Sequence, residues 1–202
     1  YQDKLIVLDA QMKSLEARIN SHFLFNTLES INSLAEIDEN EDIATMSLAL
    51  GNMFRYAIKT ESELVTLEQE LRHVQDYVAI QSIRFDNRFH LSVTIPEELY
   101  ELKVLKLILQ PLVENAIFHG LEPKGGHGSV LLDISTDPDT GDVLLRITDD
   151  GVGMPPEQVA HLLDEPAEGA EKAEKFRHVG LWNVNRRIRY SFGEGYGLTI
   201  ES

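Results

Sequence analysis

The apolar residues of this chain change period part-way along it, and that switch constrains the fold more than any other feature. Leu5, Leu8, Met12, Leu15 and Ile19 recur at intervals of three and four, the seam of a coiled coil or helical bundle. The pattern broadens through Phe23, Leu24, Leu28 and Ile31. It breaks at the acidic turn Asp38-Glu39-Asn40-Glu41-Asp42 and resumes with Ile43, Met46, Leu50, Met53, Phe54 and Ala57. Two long antiparallel helices with a short link make an αα-hairpin. Each helix of such a hairpin buries one stripe, and the seam left over is covered if two copies form a four-helix bundle.

Thr66-Leu67-Glu68-Gln69 fits a capping box and starts a third helix, with Leu67, Leu71, Val74 and Val78 on one face. From Phe89 the spacing changes: Phe89, Leu91, Val93 and Ile95 alternate with polar residues, which is the signature of a strand. Leu105–His119 reads as helix, with Pro111 near its start. Val130–Ser135 and Val143–Thr148 read as a hairpin around the turn residues DPDTGD. Leu181–Phe192 reads as helix and Tyr196–Glu201 as a final strand. The fold class predicted is α+β: a helical hairpin over residues 1–62, then an α/β part over 63–202, with Glu61-Ser62-Glu63 as the hinge.

Composition narrows the partners. Of 202 residues 43% are hydrophobic, enough for a core, and there are no cysteines, which excludes a disulfide scaffold and thiolate metal sites. A formal charge of −16 argues against nucleic acid or an anionic membrane surface as partner. Phosphate must then be met by backbone N–H groups, a helix start or Mg²⁺. No apolar run approaches the roughly 18–20 residues that span a bilayer. The first residue is not Met, and the chain reads as a piece of a longer protein.

Three short motifs carry chemistry. Asp149-Asp150-Gly151-Val152-Gly153-Met154 follows a strand; a carboxylate there can accept from an adenine amino group while glycines admit a base. Taken alone it is as well read as an ordinary turn. In Leu112–Gly120, Glu114 and Asn115 lie on a helix, and Asn115 and His119 are four apart, on one face. The Asn115 amide oxygen suits Mg²⁺. Gly180, Leu181 and Asn183 follow His178 at an expected helix start, where free N–H groups favour phosphate. The acidic stretch DEPAEGAEKAEK before it reads as a lid. His73, His90, His127 and His161 show no ligand spacing and read as structural or surface residues, and Trp182 reads as packing.

The ordered set is more specific than its parts. It resembles the N, G1 and G2 boxes of the GHKL (Bergerat-fold) ATP-binding α/β sandwich of sensor histidine kinases. INSHFLFNTLESI (residues 19–31) resembles the INPHFLYNTLxSI phosphoacceptor motif of the LytS/YesM-type sensor kinases. LGNMFRYAI, VTLEQELRHVQDYVAIQSIRF, HVGLWNVNRRI and FGEGYGLTI extend the likeness over nearly the whole chain.

The resemblance implies roles. His22 is the phosphoacceptor; imidazole's ordinary pKa of about 6.5 leaves it neutral and nucleophilic near pH 7. Asn26, one turn on, orients the ring or a water. Glu114 is the candidate base, since Phe23 occupies the place where many histidine kinases carry a carboxylate. Asn115 binds Mg²⁺, with His119 in the same box. Asp149 reads adenine beside Gly151 and Gly153, and Gly180, Leu181 and Asn183 shape the phosphate end. ATP and Mg²⁺ are the implied cofactors. The implied partners are a second copy and a response-regulator receiver domain, with a membrane sensor and HAMP-type linker upstream. The chain would be the cytoplasmic portion of a bacterial plasma-membrane protein. Ser21 and Arg18 depart from the family's Pro and Gln, and the family's closing strand lies beyond Ser202. Those departures favour one alternative, a pseudokinase that dimerises and binds nucleotide without phosphorylating itself. The His22 hairpin argues against another, a GHKL kinase acting on serine of a second protein.

Overall fold

The computed structural model describes residues 22–59, 62–164 and 172–202. The Leu5–Ile19 seam, Arg18, Ser21, the Glu61 side of the hinge and residues 165–171 of the expected lid lie outside them. The chain divides into two compact units. One takes in the described residues up to 59 together with Gln75–Ile83; the other takes in Ser62–Val74 and everything from Arg84 onward.

In the first unit, helix α1 runs over residues 22–37 and α2 over Glu41–Lys59. The turn between them works because Glu39 takes a positive φ of 55° and the Asn40 side chain accepts from the Ile43 N–H at 3.1 Å, capping α2. Glu41 and Asp42 then lie at the positive end of the helix dipole. The helices are antiparallel. A Cβ on Gly51 would touch Leu28, and Arg55 lies over the Phe25 ring at 5.8 Å. Phe25, Leu28, Ala35 and Ala49 are buried, whereas Phe23, Leu34, Ile37 and Leu48 are exposed.

In the second unit, β1 (Leu64–Thr66) pairs antiparallel with β3 (Lys103–Leu105). Helix α3 (Leu67–Arg84) begins at the capping box: Thr66 N–H donates to Gln69 Oε1 at 2.9 Å, and Gln69 N–H to Thr66 Oγ1 at 3.2 Å. The main sheet has the order β2-β4-β5. β2 (Phe89–Thr94) runs parallel to β4 (Gly128–Thr136), which runs antiparallel to β5 (Val143–Asp149). Between β2 and β4 come α4 (Leu109–Asn115), a π-helical turn over Ala116–Leu121 and a 3₁₀ turn over Glu122–Lys124. Short α5 (Pro156–His161) and long α6 (Lys172–Phe192) follow. α4 contacts α6, and the π turn contacts β4 and β5. Val130, Leu132 and Ile134 on one sheet face are buried, as are Leu109, Val113, Ile117, Leu121, Leu181 and Val184. The hairpin turn is built by Asp137, whose Oδ1 accepts from Asp139 and Thr140 N–H. No helix among the described residues is long and apolar enough to cross a membrane.

Three expectations are corrected. Leu105 belongs to β3, and helix starts only at Leu109. Residues 196–201 form no strand; Leu198 N–H donates to Asn185 Oδ1 at 2.9 Å and Tyr196 Oη to Asp142, so side chains hold this segment. Gly180 does not open a helix, because α6 already begins at Lys172. Ala, Glu and Lys are strong helix formers, and KAEK at 172–175 starts the helix ahead of Gly180.

Candidate active site

His22 stands on α1 with its ring exposed. The Asn26 amide lies 3.2 Å from its Nδ1, one turn along the same face. The amide nitrogen faces the ring and donates to Nδ1, so the neutral imidazole carries its proton on Nε2. Phe23 beside it is 72% exposed. Thr27 and Ser30 hydroxyls donate back to the Phe23 and Asn26 carbonyls at 2.8 Å each, which keeps both side chains tied to the helix.

In the second unit, α4 ends on Asn115. Its Oδ1 is buried and accepts no hydrogen bond within the protein. An unpaired buried amide oxygen costs free energy, and a hard cation is the ligand such an oxygen suits. Among the described residues no three His, Asp or Glu side chains cluster as a metal cage. Mg²⁺ is commonly held by one or two side chains together with substrate phosphates, and the Asn115 oxygen could be one of them. The carboxyl of Glu114 reaches solvent, yet the protein around it withholds water from the charged form and holds its pKa above the ordinary value. His119 lies in the π turn, half-buried.

The π turn then meets the end of β5. A Cβ on Gly120 would overlap the Asp149 carboxylate, and one on Gly151 would overlap the Gly120 backbone. Val152 N–H donates to the Gly120 carbonyl at 3.0 Å. Asp149 Oδ1 accepts from Gly151 N–H at 2.9 Å. Gly151 therefore serves contact between two protein backbones, where the sequence pointed to space for a base. Gly153 has φ +69°, a conformation that favours glycine, and Met154 N–H donates to Ser202 Oγ.

Two residues absent from the sequence reading complete this corner. Lys124 Nζ donates to the Asp150 carbonyl and, at 3.0 Å, to its carboxylate. Ser129 donates to the same carboxylate through N–H and Oγ, at 2.9 Å each. The Ser129 N–H first, and then Lys124, hold the Asp150 pKa down at about 2. The two-glycine loop that follows Lys124 was the available signal.

Of the last motif, Leu181 is buried and Asn183 exposed on α6. A Cβ on Gly180 would touch Pro111 at 3.9 Å, so this helix crosses the first turn of α4. The structure thus joins Asn115, His119, Asp149 and Gly151 through the π turn, and Gly180 through α4. A cleft of about 430 Å³ lined by Asp164, Asn185, Arg189 and Tyr196 contains none of them. His73 is buried and pairs with Gln110 at 2.6 Å, and His161 pairs with Asp164 on the surface, so both are structural. Trp182 packs under the Arg186 guanidinium.

Comparison with known proteins finds two family models along the chain. Residues 10–89 match a family model described as histidine kinase. Residues 101–201 match one described as histidine kinase-, DNA gyrase B- and HSP90-like ATPase. The chain is 36% identical over 201 residues to sensor histidine kinase YesM of Bacillus subtilis, covering all of this chain and 32% of YesM. It is 34% identical to sensor protein LytS of Oceanobacillus iheyensis (98% of this chain, 33% of LytS). It is 31% identical to sensor histidine kinase BtsS of Escherichia coli K12 (98% and 32%). The chain spans about a third of the length of these curated relatives. It belongs to the histidine kinase family, and its second half is the ATPase-type domain which that family shares with DNA gyrase B and HSP90.

Proposed function

We propose that this chain is the kinase portion of a two-component sensor, in which His22 takes the γ-phosphoryl group of ATP and passes it to an aspartate of a receiver domain. The observation that carries the reading is the exposed His22 ring with Nδ1 engaged by Asn26. That pairing occupies Nδ1 and leaves Nε2 as the nitrogen that attacks, giving up its proton to a base as it does so. The Nε2–P bond forms as the bond from the γ-phosphorus to the bridging oxygen breaks, and ADP leaves. Glu114, whose carboxyl pKa is raised because the protein around it withholds water from the charged form, is the candidate to receive the Nε2 proton. Asp149 reads adenine, with Gly151 and Gly153 shaping the turn, and Gly180, Leu181 and Asn183 line the phosphate end. Mg²⁺, held by Asn115, would neutralise charge on the transferring phosphoryl group.

The reading also takes residues 1–62 as the phosphoacceptor and dimerisation segment and 63–202 as the ATP-binding domain. Two copies form the bundle. A membrane sensor and HAMP-type linker precede this piece, which lies on the cytoplasmic side of a bacterial plasma membrane. Incubation with γ-labelled ATP and Mg²⁺ tests the central claim. Label should survive base, vanish in acid and be absent from His22→Ala. Label retained by His22→Ala, or stable in acid as phosphoserine is, would refute the assignment.

A further inference from the structure

The start of α4 is held from outside its own sequence. Its N-cap residue, Ile108, makes no side-chain capping bond. The carboxylate of Glu70, on α3, supplies the cap: Oε1 accepts from Leu107 N–H at 2.6 Å, and Oε2 from Ile108 and Leu109 N–H at 3.0 and 3.1 Å. Glu70 is completely buried. A charge in that position is tolerable because three N–H donors at the positive end of a helix converge on it. Three further features fix the same turn. His73, one turn along α3, bonds Gln110 at 2.6 Å. Arg187 of α6 donates to the Lys106 carbonyl at 2.7 Å. Leu107 is held at φ +59°, a strained conformation for leucine.

We propose that Glu70 is a positioning residue for the metal–nucleotide complex: it fixes the start of α4 so that Asn115, at the far end, presents its unpartnered Oδ1 to Mg²⁺. The inference rests on the reading of Asn115 given under Proposed function. From Leu109 to Asn115 the helix rises about 9 Å, at about 1.5 Å per residue. A small tilt at one end therefore displaces the other. Mg²⁺ demands near-ideal octahedral geometry, so its ligand is sensitive to such a tilt. Asp149 stands on β5, held by the sheet and by its own hydrogen bond to Gly151, so adenine recognition is less sensitive to it than the metal ligand at the end of α4. Loss of Glu70 should then separate two components of ATP binding that a general loss of structure would lower together.

The experiment is calorimetric titration of ATP into the protein, once with excess EDTA and once with excess Mg²⁺. In the parent, Mg²⁺ should tighten binding. Glu70→Gln keeps the size but turns an amide N–H₂ toward N–H donors. It should bind ATP in EDTA within about twofold of the parent, yet about tenfold more weakly in Mg²⁺, the scale expected for removal of a group that supports a metal ligand. In an Asn115→Ala background, Glu70→Gln should add nothing further. Gln110→Ala removes the His73 bond and leaves the Glu70 cap. It should show the same Mg²⁺-specific loss, smaller in size, and it stands in if Glu70→Gln does not fold. Equal weakening in EDTA and Mg²⁺ by the folded variants, or no change in either, overturns the role of Glu70. A parent that binds ATP without any Mg²⁺ effect overturns the reading of Asn115 instead, and the two failures are distinct.

Discussion

The two units solve the burial problem differently. In the second, one chain closes its own core: Leu109, Leu121, Val130 and Leu132 are wholly buried, and even the start of α4 is capped by a buried carboxylate. In the first, α1 is apolar on two opposite faces. At about 100° per residue, Phe25, Leu28 and Ala35 fall in one sector and are buried. Phe23, Leu34 and Ile37 fall in the opposite sector at 72%, 62% and 76% exposure. Single exposed apolar residues are ordinary, whereas a stripe of them on a helix is an unfinished interface. The second unit thus closes a core within one copy, and the helical unit leaves a stripe that, on the proposed reading, a second copy covers.

The largest effect should come from attacking that stripe. Leu34→Asp with Ile37→Asp places four carboxylates in the seam of a two-fold dimer. Burial of each side chain is worth about 1.5–3 kcal/mol. Four such losses come to about 6 kcal/mol or more, at least four decades in the dimer constant. Sedimentation should find monomers at micromolar concentration, while ATP binding by the second unit stays as in the parent. A variant that remains dimeric would show that the stripe is covered by something other than a second copy.

Asp149→Asn should act on the other side of the comparison alone. Asparagine keeps the shape of the group packed against Gly120 but loses the charge from the adenine hydrogen bond. A charge-assisted bond is worth about 1.5–3 kcal/mol, so ATP affinity should fall about tenfold or more, with the oligomeric state unaltered. A folded variant with parental ATP affinity would move the adenine pocket away from Asp149.

How much of each unit was legible in sequence follows the range of the interactions. The capping box, the DPDTGD hairpin and the Asn40 turn each involve partners within six residues, and side-chain chemistry alone predicts them. His22 and Asn26, one turn apart, are of the same kind. Glu70 and its three N–H partners are separated by 37 to 39 residues, so nothing local marks Glu70 as more than a polar residue early in a helix. Lys124 and Asp150 are 26 apart and were missed for the same reason. β1 and β3 span three residues each, too short for alternation to register. Gly180 misled because a glycine reads as punctuation unless the helix-forming residues before it are weighed. The tight packing of Gly120 on Asp149 is likewise a tertiary fact, although both residues were singled out as parts of motifs.

The smallest effect concerns the latch at the start of that same turn. Asp150 has a pKa of about 2 in the fold against 3.8 ordinarily. A depressed carboxylate stabilises the folded state in full above the unfolded pKa, and loses that contribution as pH falls through the folded one. The window is therefore about pH 4 down to pH 2, and above it, through neutral pH, the contribution stays constant. Lys124→Met removes the ammonium and leaves both Ser129 bonds, of which the backbone one is the larger cause. The Asp150 pKa should then rise only part of the way toward 3.8, and acid unfolding of the second unit should begin at slightly higher pH. Carboxyl NMR titration of parent and variant measures this directly. The first unit has no counterpart to this latch among its described ion pairs, whose Arg55–Glu29 contact is long, at 3.8 Å, and exposed on both sides. An Asp150 pKa unmoved by Lys124→Met would assign the whole depression to Ser129 and reduce Lys124 to a tether for the Asp150 carbonyl.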